Sequence, residues 1–216
     1  MEGKMSASNQ TKLNIDFSNI NVRRAVTEED IEQVYQLIWQ GYKKYFNDIS
    51  EIRDEYNNSC STILLLATNN DNQPLGTMRI LDRNHGKIEL DSFIDVDKIL
   101  SASEMPCTEA TRLSVPSHPD SLATKLALYK VFFTYCNDNQ ISTMIISARP
   151  ELAANYTSFL YFEDIGEKGV YGHSLLGGKE HRSFKLDLKN AWKIYRESNY
   201  PLYNFFCVEK HPNITY

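Results

Sequence analysis

The sequence predicts an α/β fold with a central mixed sheet flanked by helices. The run of Ile and Leu at 63–68 is typical of a strand that is buried on both faces, and residues 141–148 predict a second buried strand. Between them, residues 122–136 are almost uniformly apolar, and a helix of this composition packs against a sheet and contacts a second layer as well. Strands and helices are therefore expected to alternate along the chain.

The N-terminal half predicts a helix followed by a hairpin. Thr27 precedes three acidic residues, which is a typical helix start, and apolar residues at helical spacing continue to about residue 44. The polar stretch 69–74 has the composition of a turn, so strands at 63–68 and 75–81 should pair as a hairpin. A first strand at 21–26 and a short helix at 95–100 complete this half.

The C-terminal half predicts a second set of strands and helices. A strand at 108–115 ends before Pro116, which cannot donate a hydrogen bond to a sheet, and Asp120 or Ser121 caps the helix that follows. The further predicted elements are the strand 141–148, a helix 151–162 that stops at Gly166, strands near 170–171 and at 183–188, and an aromatic-rich helical tail at 190–216.

Length and composition limit the class of protein. The 216 residues predict a polar, flexible tail at 1–20 and a single domain at 21–216. The net charge of −5 argues against a nucleic-acid partner, and the apolar runs are too short for integral membrane association. Four scattered cysteines without a C-x-x-C pair predict a reduced, cytoplasmic protein. The histidines show no metal-binding spacing, so no metal is expected.

The strand at 108–115 carries the most informative residues. Glu109 and Arg112 lie three residues apart, directly before a strand end and a helix start, where ligands often bind. In a regular strand the two side chains would point to opposite faces. They can share a site only if the strand is irregular.

These residues also carry a family resemblance. Glu109-x-x-Arg112-Leu113-x-Val115 resembles the signature of the acyl-homoserine-lactone synthases and the related N-acyl amino acid synthases, with Thr111 at a position that is usually Ser. The segment Gly76 to Arg79 resembles their Gly-x-x-Arg motif. The resemblance covers roughly residues 23–188 and implies a GNAT-type acyltransferase fold with a bulge in the signature strand. It also makes 49–58 a candidate lid over the acyl donor.

The resemblance implies an N-acyltransferase that moves an acyl group from a thioester to the amine of an amino acid or related small molecule. Glu109 is the expected general base, and its pKa should be raised by desolvation. Arg79 and Arg112 are expected to orient Glu109 or to bind a substrate carboxylate. On spacing alone, a structural ion pair between Glu109 and an arginine is equally open.

Other positions are expected to contact the acyl-phosphopantetheine donor. A bulge leaves a backbone N–H free, so the backbone of Leu113, Ser114 and Val115 is the candidate oxyanion site. Ser117, in the loop after the strand, and Asn155 are further candidates. The segment 155–166 resembles the Asn-containing helix of acetyltransferases, although Phe162 stands where they usually have a catalytic Tyr.

The loop 116–123 favours acyl carrier protein over acyl-CoA as the donor. Two of its residues are prolines without an N–H, none is Gly, and Asp120 adds a negative charge, which suits a pyrophosphate poorly. An acidic carrier protein needs a basic docking patch, for which the candidates are Lys125, Lys130, Arg149 and Lys168. The alternatives are an acetyl-CoA-dependent N-acetyltransferase and a catalytically silent module that binds an acyl ligand or a protein.

Overall fold

A mixed sheet of eight strands forms the centre of the molecule, in a computed structural model that describes residues 15–216. The strands are β1 (Asn21–Arg24), β2 (Thr62–Thr68), β3 (Pro74–Asp82), β4 (Cys107–Ser114), β5 (Thr143–Ala148), β6 (Glu163–Asp164), β7 (Val170–His173) and β8 (Lys179–Asp187). Their order is β1-β2-β3-β4-β5-β8-β6, and β7 also pairs with β8. Only β4 and β5 run parallel among these pairs of the described chain.

Helices cover both faces of this sheet. They are α1 (Glu28–Tyr42), α2 (Val96–Ile99), α3 (Ser121–Asp138), α4 (Ala153–Thr157) and α5 (Leu188–Glu197). One face packs on α3 and α5, and the other packs on α1 and on short 3-10 turns, among them Ile49–Ile52, Glu55–Asn58 and Glu89–Ser92. The predicted α/β architecture is confirmed, and every residue of β2 is buried as its composition indicated.

Helix α1 begins and docks as its sequence dictates. The Thr27 side chain accepts a hydrogen bond from the Asp30 N–H at 3.1 Å, which is the predicted cap. At the other end, Gly41 lets the helix approach β4, since a Cβ there would lie 2.5 Å from Ser114 Oγ. The Ser114 hydroxyl donates to the Leu37 carbonyl at 2.6 Å and so fixes the end of β4 against α1.

One prediction of secondary structure is wrong in its extent. The helix predicted at 151–162 is only a 3-10 turn and the five-residue α4, because Tyr161 adopts a left-handed conformation (φ 59°) and β6 follows directly. At the end of the predicted tail, Ile20 is buried and Phe17 stacks on Phe205 at 4.1 Å, so these two residues pack on the domain. Residues 1–14 of that prediction lie outside the described residues.

Helix α3 is buried almost throughout and joins the sheet to the C-terminal segment. Phe133 packs on Trp192 and Phe206, with ring centroids 5.3 and 4.9 Å apart, so the predicted second layer is present. Lys130 was predicted to belong to a docking patch, and this is wrong because its side chain is 5% exposed. Its ammonium donates to the backbone carbonyls of Phe205 and Glu209 instead.

Across residues 15–216, no helix is long and apolar enough to cross a membrane. All four cysteines fall in this range and are free thiols.

Replacing Lys130 by Met tests how the C-terminal segment is held. The Met side chain retains the apolar stem but leaves the carbonyls of Phe205 and Glu209 without their donor, which should lower the free energy of unfolding by about 1–3 kcal/mol. Chemical denaturation measures this change, with Lys193→Met on the exposed face of α5 as the matched control. Equal stability of the two variants would contradict the assigned contact.

Candidate active site

A bulge in β4 places Arg112 at the site. In the register with β3, Thr77 faces Ser114 and Arg79 faces Thr111, so β4 has one more residue than β3 over this interval. Arg112 adopts a left-handed conformation there, with φ 53°. A non-glycine residue in this region costs about 1 kcal/mol or more. The irregularity that the family resemblance implied is therefore present, and it turns the Arg112 side chain toward Arg79.

Two arginines and two carboxylates form a closed ring of ion pairs. Asp54 bridges the arginines, with Oδ1 2.6 Å from Arg79 Nη1 and Oδ2 3.0 Å from Arg112 Nη2. Glu89 bridges them from the other side, with Oε2 2.6 Å from Arg79 Nη2 and Oε1 3.1 Å from Arg112 Nη1. Arg79 Nε donates to Thr111 Oγ1 at 2.8 Å, so this guanidinium is fully engaged.

The ring is buried and its formal charges balance. The side chains of Arg79, Glu89 and Arg112 are at most 5% exposed. Burial disfavours the charge of Glu89, but Arg112, the hydrogen bond from His173 and Arg79 outweigh it and lower the pKa of that carboxyl. His173 Nε2 lies 3.0 Å from Glu89 Oε1 and holds the carboxylate from a third direction.

Glu109 lies beside the ring without an ion pair to either arginine among the described residues. Its Oε2 accepts a hydrogen bond from the Leu90 N–H at 3.0 Å. Burial raises the pKa of Glu109, as predicted, and the neighbouring charge of Glu89 raises it further. Because Asp54 and Glu89 already balance the arginines, the uncharged form of Glu109 is favoured.

The parallel strands β4 and β5 separate at the level of the bulge. They pair from Cys107 with Thr143 to Ala110 with Ile146, and beyond this point they no longer pair with each other. A cavity of about 750 Å³ fills the gap. Its apolar wall is formed by Met78, Leu126, Tyr129, Leu152, Phe159 and Leu160. Its polar side chains include Lys44, Arg112, Lys125, Arg149, Asn155 and His181.

The cavity collects some of the predicted site residues and not others. Arg112, Leu113, Ser114, Val115 and Asn155 line it. The lining drawn from residues 15–216 does not include Arg79, Glu109 or Ser117. Arg112 thus connects the ion-pair ring with the cavity, and its buried Nε has no hydrogen-bond partner in the described chain.

The position of Glu109 bears on its predicted role as the general base. Its strand partners Leu81 and Ile145 belong to the core on the ring side of the sheet, whereas the neighbouring Ala110 reaches the cavity. A general base must come within hydrogen-bonding distance of the proton that it removes. The direct role of Glu109 therefore stays a prediction, and its position better supports an indirect one.

Sequence reasoning missed three members of the site. Asp54 is part of the candidate lid at 49–58, and its ion pairs anchor that segment against the sheet. Glu89 lies in the 3-10 turn Glu89–Ser92 and His173 lies at the end of β7, and neither residue is part of a sequence motif. The available signal for these carboxylates was the presence of arginines at both 79 and 112 on predicted strands, because two buried guanidiniums require carboxylate partners.

The loop after β4 uses several of its own N–H groups. The His118 N–H donates to Ser121 Oγ at 2.7 Å, and the Asp120 N–H donates to His118 Nδ1 at 3.2 Å. The Ser121 N–H donates to the His118 carbonyl at 3.1 Å. Together with the two prolines at 116 and 119, these contacts leave few donors for a pyrophosphate.

A mixed sheet with a bulged β4 and a cavity between two parallel strands that separate defines the GNAT-type acyltransferase class. The family model "N-acyl amino acid synthase FeeM" matches residues 33–174, which is more than half of the chain. The chain belongs to this family. It is therefore an N-acyltransferase that acts on an amine.

Solved structures agree with this fold. FeeM, an N-acyl amino acid synthase from uncultured soil microbes, is 18% identical with a TM-score of 0.66, over 81% of this chain and 93% of its own. The acyl-homoserine lactone synthase LasI is 19% identical with a TM-score of 0.61, over 89% and 96%. The CoA-dependent synthase BjaI, solved with SAM and isopentyl-CoA, is 15% identical with a TM-score of 0.55, over 92% of each chain. A comparison with curated protein sequences gave no match.

Lysine at position 79 or 112 should destabilise the fold despite the retained charge. A lysine cannot make the two parallel contacts of a guanidinium, so we expect the free energy of unfolding to fall by about 2–4 kcal/mol. Arg83→Lys is the control, because Arg83 pairs with Asp91 and Asp97 at a more exposed site and should lose about 1 kcal/mol or less. Denaturation curves with equal midpoints for all three variants would refute the ring.

Glutamine at positions 89 and 109 should have opposite effects on stability. Glu89→Gln leaves the arginines undercompensated and should cost about 3–5 kcal/mol at neutral pH. Its pKa is lowered in the folded state, so the contribution of Glu89 is present above the ordinary value of 4.5 and is lost as pH falls.

The pKa of Glu109 is raised in the folded state, so its contribution to stability declines as pH rises above 4.5. Glu109→Gln should therefore be neutral near pH 4.5 and gain stability relative to the wild type as pH rises toward 7. Urea titrations at several pH values check both variants. A Glu109→Gln variant that loses stability with rising pH would show that Glu109 is ionised in the fold.

Proposed function

We propose that the protein transfers an acyl group from an acyl carrier protein thioester to the amine of an amino acid or a related small molecule. The observation that carries this proposal is the cavity between β4 and β5, where an apolar wall meets the bulge and the unpaired Nε of Arg112. The apolar wall suits an acyl chain. The bulge and Arg112 suit the oxygen of a thioester or a carboxylate.

In this proposal, different residues of the cavity contact the acyl donor and the amino acid. The apolar wall around Leu126, Tyr129 and Phe159 suits an acyl chain. The bulge at Arg112 and Leu113 carries backbone without a partner in the β3 register, which suits the developing oxyanion of the thioester. We assign the carboxylate of the amino acid to Arg112, whose buried Nε is the guanidinium nitrogen that Asp54 and Glu89 leave without a partner.

In this proposal Arg79 and Glu109 support the site indirectly, through Arg112, and do not line the cavity among the described residues. Arg79 has every nitrogen engaged and so cannot bind a substrate carboxylate as a fork. Glu109 borders the ring that holds Arg112. Their role is to fix the guanidinium of Arg112 in its strained conformation, so that binding needs little further ordering.

Carrier protein is favoured over CoA as the donor by two features. The loop after β4 uses the N–H groups of His118, Asp120 and Ser121 internally, which suits an arm with one phosphate better than a pyrophosphate. Basic side chains from Lys44, Lys125 and Arg149 surround the mouth of the cavity, where an acidic carrier would dock. Of the predicted patch, Lys168 is exposed but does not line this cavity within the described chain.

The donor preference can be measured directly. We expect acyl carrier protein thioesters to give at least ten-fold higher kcat/KM than the matching acyl-CoA at low salt, and to lose this advantage as salt screens the docking charges. Glutamate at Lys125 or Arg149 should weaken only the carrier-protein reaction, whereas Lys193→Glu on α5 should not. The amine is found by mass spectrometry of N-acyl products.

Equal or better use of acyl-CoA at low salt would overturn the donor assignment and favour a CoA-dependent enzyme. Donor binding without turnover on any amine would overturn the proposed reaction.

A further inference from the structure

His181 is a buried histidine that lines the cavity. Residues of β8 alternate in direction, and Phe184 and Leu186 pack into the core on the α3 side of the sheet. His181 points the other way, toward the side that carries the ion-pair ring. It is only 5% exposed and yet borders the same cavity as Arg112.

The hydrogen bond of His181 determines its tautomer. Its Nδ1 lies 3.0 Å from the backbone carbonyl oxygen of Lys179. A carbonyl can only accept, so Nδ1 carries the proton in the neutral ring. The lone pair of the neutral imidazole is therefore on Nε2, which is the arrangement that a general base requires.

The surroundings keep this imidazole neutral. Burial has the largest effect and lowers the pKa of His181, and the neighbouring His173 and Arg149 act in the same direction. Glu89 and the Lys179 carbonyl oppose the shift but do not cancel it. The rings of Tyr171 and His173, on the neighbouring β7, lie 5.9 and 5.0 Å away and hold the imidazole in place.

We infer that His181 is the general base of the acyl transfer, accepting the proton of the substrate amine at Nε2. This inference rests on the proposed function. The ammonium of the acceptor loses a proton to Nε2, the free amine attacks the thioester carbon, and the C–S bond breaks. The nitrogen loses two protons in all: the imidazolium returns one to the leaving thiolate, and the other is released to water.

The geometry gives His181 a position that Glu109 lacks. Glu109 is engaged by the Leu90 N–H and is not part of the cavity lining of the described residues, and its uncharged form is favoured. His181 borders the cavity with an unprotonated nitrogen. The base therefore comes from β8 and the carboxylate-binding group comes from β4, on the two sides of the gap.

The variant His181→Asn is the sharpest test. Its amide N–H can keep the hydrogen bond to the Lys179 carbonyl, but it has no counterpart of Nε2. We expect kcat/KM to fall by about 10²- to 10⁴-fold at neutral pH, while the affinity for a non-hydrolysable donor analogue is unchanged. His85→Asn, at an exposed histidine, should match the wild type.

The pH profile separates catalysis from packing. In the wild type, activity should rise with pH through an apparent pKa below the ordinary histidine value of 6.5. This limb should be absent in His181→Asn and present in His85→Asn. An unaltered kcat and pH profile in His181→Asn would overturn the inference while leaving the proposed function intact. A wild type that acylates no amine would instead refute the proposed function.

A second measurement does not depend on the variant being folded. Nitrogen NMR of ¹⁵N-histidine-labelled wild-type protein reports the tautomer and the pKa of each histidine. We expect the neutral His181 ring to carry its proton on Nδ1, and its pKa to match the acidic limb of kcat/KM. A proton on Nε2 would overturn the assignment.

Discussion

The ring of ion pairs formed by Asp54, Arg79, Glu89 and Arg112 is the constraint on which the rest of the site depends. Each buried guanidinium would be strongly destabilising without both carboxylates, and each carboxylate would be so without both guanidiniums. The ring therefore fixes the positions of four separate segments at once: the hairpin strand β3, the bulge of β4, the segment 49–58 and the turn Glu89–Ser92. Burial, together with the nearby charge of Glu89, raises the pKa of Glu109, a third carboxyl beside the ring, and so favours its uncharged form.

The same arrangement produces the cavity. Pairing of β4 with β5 ends at Ala110, and the bulge that turns Arg112 into the ring also diverts β4 from the line of β5. Helix α1 holds the diverted end through the contact between Ser114 and Leu37. Both contacts hold the β4 side of the gap, and the cavity there brings bulged backbone and a guanidinium together.

The sequence was most informative where the relevant residues are close along the chain. The buried strands, the start of α1, and the motif residues at 79, 109 and 112 could be predicted because period, capping and spacing are local properties. Asp54 could not, since it lies 25 residues from Arg79 and 58 from Arg112. Lys130 was misassigned because its charge suggested exposure, although its place in a uniformly apolar helix indicated burial. His181 gave no signal, since the register of β8 alone brings it to the cavity.

The backbone of Arg112 offers an independent argument that its side chain matters. A glycine would adopt the left-handed conformation at no steric cost, so an arginine there is disfavoured by the backbone alone. What offsets this strain is the pair of contacts to Asp54 and Glu89, and these contacts leave the buried Nε without a partner in the described chain. A purely structural arginine would be expected to satisfy all of its donors within the protein. Arg112 is therefore the residue through which the buried ring borders the cavity, and its unsatisfied Nε sets it apart from Arg79.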